Sequence, residues 1–127
     1  MPATEPWRRS DFAQAAEALR AALTPEESRF LASLRTFMTV GQFFICHAGV
    51  RPGVQLDRQS EEDLLWIRDE FLDSEMDFGK IVVHGHTPVR EPEVKANRIN
   101  VDTGAFGSGR LTCVVLEDGG RRFLTAT

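Results

Sequence analysis

Residues Lys80-Ile81-Val82-Val83-His84-Gly85-His86-Thr87-Pro88 decide how this 127-residue chain is read. Ile81, Val82 and Val83 are β-branched, the run is short, and Gly79 and Gly85 bound it, which predicts a buried strand over 80–84. Just past its end stands His86, beside a glycine that lets a ligand come close. Phe43-Phe44-Ile45-Cys46-His47-Ala48-Gly49 repeats the arrangement, an apolar run that stops at a histidine and then two small residues. Two of the chain's three histidines therefore lie at strand-to-glycine junctions. Histidine is the commonest metal ligand, and strand ends bring distant sequence positions onto one rim, so His47 and His86 are candidate metal ligands. His84 shares a face with His86 on an extended strand. That leaves open a His-x-His chelate or a structural histidine bonded to backbone near the site.

Working outward, residues 36–40 and 42–47 flank Gly41 and predict two strands joined by a tight turn. Residues 51–59 are polar, carry Pro52 and Gly53, and predict a loop. Ser60 followed by Asp63 is a capping signature for a helix over 61–72. Leu64, Leu65, Phe71 and Leu72 form its apolar face, and Arg68 falls in the middle of that stripe. A guanidinium there either pairs with a carboxylate such as Asp57 or Asp69 or points into a cleft to hold phosphate through its planar fork. Further strands are predicted at 98–101, at 111–116 and near Phe123, the last after an Asp118-Gly119-Gly120 turn. On the N-terminal side, Asp11 opens a helix whose stripe is Phe12, Ala15, Ala16, Leu19, Ala22 and Leu23. Thr24-Pro25-Glu26-Glu27 is a capping box that starts a second helix running to about Leu34, with Phe30, Leu31 and Leu34 inward. The order of two helices, two strands, a helix and four strands predicts an α/β (α+β) fold. Its architecture is a layered sandwich with a mostly antiparallel or mixed sheet, not a doubly wound one.

Composition narrows the function classes. The chain is 42% hydrophobic and 27% charged, with nine phenylalanines and a net charge of −4. It is too apolar for a disordered tail and has no basic excess for a nucleic acid. Its length suits one globular domain. The longest apolar runs, 43–46, 81–83 and 113–116, are far short of the roughly 20 residues that span a bilayer. Residues 1–9 lack the apolar core of a signal peptide, so a cytoplasmic protein without membrane or nucleic-acid partners is expected. Cys46 and Cys113 each lie in an apolar run and are expected as buried, reduced thiols.

The site motifs taken together are recognisable. Phe-Ile-Cys-His47-Ala-Gly, Asp63-Leu-Leu-Trp66-Ile-Arg68, Val-Val-His-Gly-His86-Thr-Pro and Val-Asp102-Thr-Gly-Ala, with Gly-Arg-Leu-Thr after the last, follow one another in an order and spacing that resemble the C-terminal half of bacterial calcineurin-like metallophosphoesterases. Among these, the chain is most similar to serine/threonine protein phosphatases of the phosphoprotein phosphatase type. The resemblance covers residues 36 to about 123. It implies part of an αββα sandwich, with residues 1–35 as a helical linker segment and 36–127 as the C-terminal half of a phosphoesterase domain.

The resemblance also implies a two-metal site of manganese, iron or zinc that activates water for in-line attack on phosphorus. His47 and His86 match metal ligands, and Arg68 matches an arginine that binds the phosphoryl oxygens. His84 and Asp102 match no ligand and are expected in the surrounding shell. The family's other motifs, Gly-Asp-x-His-Gly, Gly-Asp-x-x-Asp-Arg-Gly and Gly-Asn-His-Glu, have no counterpart in these 127 residues, so a truncated, split or degenerate enzyme is expected, inactive alone and completed by a partner that supplies the N-terminal half. The substrate is expected to be a phosphorylated protein or a small phosphoester. Two other classes stay open: a non-catalytic remnant that binds an anion or a partner, and a dimeric aspartic protease built on Asp102-Thr103-Gly104, whose paired carboxylates would share a proton.

Overall fold

The computed structural model describes residues 9–118 and 120–127. Readings that rest on residues 1–8 or on Gly119 lie outside the described residues. The chain divides into two compact units, 1–35 and 36–127.

The first unit contains α1 (Arg9–Ala22) and α2 (Pro25–Ser33). Thr24 caps α2 as its sequence dictates. The Thr24 hydroxyl accepts the Glu27 N–H at 3.2 Å, and the Glu27 carboxylate accepts the Thr24 N–H at 2.8 Å. Neither helix buries a residue, so the inward placement expected of Phe30, Leu31 and Leu34 is corrected: all three are exposed. Two short helices have too few apolar side chains to enclose a core of their own.

The second unit is a mixed α/β structure. Its five-stranded sheet has the order β1-β2-β3-β5-β4, where β1 is Phe37–Val40, β2 Phe43–Cys46, β3 Ile81–His84, β4 Glu93–Val94 and β5 Arg98–Asn100. β1 turns back antiparallel onto β2 at Gly41, whose φ of +55° is easy only for glycine. β2, β3 and β5 are parallel, with Ile45 opposite Val83 and Val83 opposite Ile99. Their C-terminal ends therefore lie along one edge of the sheet, the edge where open α/β sheets carry their ligands. A separate antiparallel hairpin pairs β6 (Leu111–Glu117) with β7 (Gly120–Ala126). No described helix is long and apolar enough to cross a membrane.

One face of the sheet, with Phe44, Cys46 and Val82, packs against Ala48, Val50, Leu64, Ile67 and Phe71 to form the core. The helix expected over 61–72 is two helices, α3 (Glu61–Trp66) and α4 (Asp69–Leu72), and its reason is a redirected hydrogen bond. In a continuous helix the Leu64 carbonyl would accept from the N–H of residue 68. Here it accepts the Ala48 N–H at 2.7 Å instead. Ile67 turns extended, with ψ of 145°, and α4 restarts from Arg68. Arg68 thus leaves the apolar stripe and becomes exposed. Gly49 is as close to Phe71 as backbone can come, since a Cβ on it would stand 2.1 Å from the Phe71 Cδ1.

Two further differences are local. Cys46 is buried, with its thiol pushed up to about 12 by burial, but Cys113 is exposed because alternate side chains of the β6–β7 hairpin face outward. β4, only two residues long, and α5 (Ala105–Ser108) carry no periodicity that sequence reading can detect.

Candidate functional site

The site assembles where β2, β3 and β5 end. The Gly85 N–H donates to the His47 carbonyl at 2.8 Å, which carries the β2–β3 ladder one step beyond the strands. His86 then reverses the chain. Its φ is +69°, the only positive value among the described non-glycine residues, and the Thr87 N–H donates across it to the Gly85 carbonyl at 2.8 Å. A hydrogen bond from i+2 to i at positive φ is a γ-turn of the rare, strained kind. Placed at the apex of this turn, His86 meets the histidine at the end of the neighbouring strand. His47 Nε2 and His86 Nδ1 stand 3.1 Å apart, with ring centroids at 4.9 Å. Trp66 closes the other side of His86, edge to face at 5.6 Å.

Two imidazole nitrogens at this separation suit one metal ion with His ligands at about 2.1 Å, and imidazole suits zinc, iron and their neighbours. His86 Nδ1 faces His47, while His86 Nε2 is buried without a hydrogen-bond partner. Burial first, then the Arg68 guanidinium and the His47 ring, hold the His86 pKa below its ordinary value, which favours the neutral ring. Among the described residues no ion pair holds the Arg68 guanidinium. Neither Asp57 nor Asp69 captures it. Two imidazoles make only part of a ligand set, and among the described residues no group of three or more His, Cys, Asp or Glu could hold a metal.

A concavity of about 320 Å³ adjoins the pair, lined by His47, His84, Gly85, His86, Asp102 and Thr103 among others. His84 and His86 do not form a chelate, because the strand stops at His84 and the γ-turn takes His86 away from it. His84 packs edge-on against Phe71, with centroids 4.8 Å apart, and is buried. Burial pushes its pKa down to about 4. In the unfolded chain it titrates near 6.5, so between those values the unfolded state binds more protons. Stability is therefore full above about pH 6.5 and falls as pH drops through 4. An urea titration at pH 7 and at pH 4.5 is expected to show the loss, and His84→Phe to flatten this part of the profile. A pH dependence unchanged in that variant would assign the effect to another group.

Asp102 belongs to a turn. Its Oδ1 accepts the Gly104 N–H at 2.9 Å, and its own N–H donates to Asn100 Oδ1 at 3.0 Å. A Cβ on Gly85 would come within 3.1 Å of the Asp102 Cβ, so the two residues pack with no room to spare. The carboxylate is committed to its own loop, and the reading of Asp102-Thr103-Gly104 as half of a protease dyad is not favoured.

Sequence reading did not find the residues that brace the site. Arg51 grips Asp63 with two hydrogen bonds, Nε to Oδ2 at 2.8 Å and Nη2 to Oδ1 at 2.6 Å, and reaches Glu70 at 3.3 Å. It spans the break that separates Trp66 from Arg68. Asp63 was visible as a cap, and Ser60 Oγ does accept its N–H at 3.1 Å, but nothing local reveals the second partner. Arg98 and Asn100, polar at period two within a buried strand, were the detectable signal for a polar layer under the site.

No protein-family profile matches the chain. Among curated proteins it is similar to the asymmetrical bis(5'-nucleosyl)-tetraphosphatase PrpE of Bacillus thuringiensis (strain Al Hakam), 52% identical over 33 residues, 26% of this chain and 13% of that protein. The protein of the same name in Anoxybacillus flavithermus (strain DSM 21510 / WK1) is 47% identical over 34 residues, 27% of this chain and 14% of the relative. Among solved structures, one described as a diadenosine tetraphosphatase superimposes with a TM-score of 0.68 at 20% identity, covering 89% of this chain and 60% of the other. The chain therefore matches less than two thirds of the length of each of these proteins, and what it shares with the solved structure is the fold.

Proposed function

We propose that residues 36–127 form the C-terminal half of a metal-dependent phosphoesterase and that the substrate is a small phosphoester. The names of the similar proteins favour a nucleoside polyphosphate over a phosphorylated protein. The observation that carries this reading is the 3.1 Å approach of His47 Nε2 to His86 Nδ1 at the C-terminal edge of a parallel strand pair. His47 and His86 hold a divalent ion, manganese, iron or zinc. When bound, such ions supply water activation and Lewis acidity at phosphorus. Arg68, released from the helix stripe by the α3–α4 break, holds the phosphoryl oxygens through its fork and balances charge that grows in the transition state. His84 and Asp102 touch neither ion nor substrate; they shape the loops that carry the ligands. The remaining ligands and the acid for the leaving group come from a segment equivalent to the two fifths of the solved neighbour that have no counterpart in this chain.

Mn2+ added to the purified 127-residue chain is expected to broaden the ring resonances of His47 and His86 selectively. The chain alone is expected to show no turnover of bis(5'-adenosyl) tetraphosphate or p-nitrophenyl phosphate, because two ligands do not build a two-metal site. Mn2+ broadening confined to exposed carboxylates would remove the metal reading and leave an anion- or partner-binding module. Metal-dependent turnover by the chain alone, lost in His86→Ala, would show that no second half is needed. In an enzyme completed by its N-terminal half, Arg68→Ala is expected to cut kcat/KM by about 100-fold, a loss on the scale of one transition-state donor, with the melting temperature unchanged. An equal loss of folding and activity would make Arg68 structural.

A further inference from the structure

The geometry points to His84 as a positioning residue that clamps the strained turn carrying His86. This inference rests on the proposed metal site, but its geometry can be tested without metal. Arg98 has only donors, so its Nη1, 3.4 Å from His84 Nε2, obliges that nitrogen to accept. The ring proton is thereby confined to Nδ1, which donates to the Gly85 carbonyl at 3.1 Å. That same carbonyl receives the Thr87 N–H that closes the γ-turn over His86. Arg98 is itself fixed. It is buried, it pairs with Glu93 at 2.6 Å, it donates to the Leu72 carbonyl at 3.2 Å, and its guanidinium lies 5.9 Å from the Phe71 ring centroid.

A second clamp grips the far end of the turn, where Asn100 Nδ2 donates to the Thr87 carbonyl at 2.8 Å. His84 and Asn100 face each other in register on neighbouring strands, and both are buried. A residue held at positive φ costs about 1–3 kcal/mol and persists only where its surroundings over-determine it. Those surroundings are now named. Glu93 orients Arg98, Arg98 sets the His84 tautomer, and His84 and Asn100 hold the carbonyls on either side of His86. Gly85 passes the constraint on to β2 through its bond to the His47 carbonyl. Histidines that hold a metal usually depend on such outer contacts, whose loss costs about 10–100-fold in affinity.

The test uses the full chain labelled with 15N and read by long-range 1H–15N correlation of the histidine rings. Wild-type His84 is expected as the pure Nδ1–H tautomer, and the His47 and His86 rings are expected to show a mutual nuclear Overhauser effect without metal. R98M frees Nε2, so a mixture of His84 tautomers is expected, with the His47–His86 effect weakened in step. H84F, which keeps a ring beside Phe71 but no donor, is expected to lose that effect and to lower the apparent Mn2+ affinity at least about 10-fold. H84N, whose Nδ2 can replace the ring Nδ1, is expected to restore both. An Nε2–H tautomer in the wild type, or an undiminished His47–His86 effect in folded H84F or in R98M with mixed tautomers, would overturn the clamp. Should H84F not fold, the wild-type tautomer and R98M decide. If Mn2+ reaches neither histidine while the tautomer and ring contacts follow expectation, the metal reading falls and the clamp stands.

Discussion

Phe71→Ala is expected to lower the free energy of unfolding by about 3–5 kcal/mol, the range for removing a fully buried aromatic ring. Phe71 is completely buried on α4 and is the hinge of the packing. Its ring meets Phe78 at 5.6 Å and His84 at 4.8 Å, and Gly49 has no side chain because the ring occupies that space. Removing it leaves a void bounded by a glycine on one side and by Arg98 and His84 on the other. Neither side can close over it cheaply. A glycine has no atoms to move into the gap, and the two polar residues would give up hydrogen bonds if they relaxed. Urea unfolding at pH 7 measures the loss. Gly49→Ala attacks the same contact from the other side, forcing the ring to move, and is expected to destabilise by about 1–3 kcal/mol. A Phe71→Ala loss below about 1 kcal/mol would mean that α4 does not close the core.

Where the signal was local, sequence reading succeeded. The Thr24 capping box, the Ser60 cap, the turn at Gly41 and the β-branched run over 81–83 are all specified within a few residues. The break at Ile67 was not, because its cause is the Ala48 N–H, 16 positions before the carbonyl it takes at Leu64. Periodicity alone therefore joined α3 and α4 and left Arg68 in a stripe it does not occupy. The expectation that Cys113 would be buried rested on the apolar run around it, but its side chain lies on an exposed face of the β6–β7 hairpin. For the site, the two strand-end histidines were visible, since His47 and His86 each stand beside small residues where an apolar run stops. What could not be read was the device that turns them together. A γ-turn at a non-glycine residue is strained, and no propensity favours it. It exists because Arg98, His84 and Asn100 hold it from below, on strands whose register the sequence does not state.

That strain yields the sharpest separation of stability from binding. His86→Gly and His86→Ala both delete the imidazole, so each is expected to lose Mn2+ binding at the His47–His86 pair by at least about 100-fold, the upper end of what outer contacts alone contribute. Stability should separate them. Alanine keeps a Cβ in a backbone whose φ is +69°, whereas glycine adopts that conformation freely. His86→Gly is therefore expected to be the more stable of the two by about 1 kcal/mol, even after the greater freedom of glycine in the unfolded chain is counted against it. Loss of the Trp66 contact is common to both and cancels in the comparison. Parallel urea curves and Mn2+ titrations of the two variants measure both quantities. If alanine proves equal to or more stable than glycine, the turn is not strained and the positive φ needs no clamp. If either variant keeps wild-type Mn2+ affinity, the ion sits elsewhere. The expected pattern, a backbone relieved and a ligand lost by one substitution, is what a fold gives up to aim a side chain at a neighbouring strand.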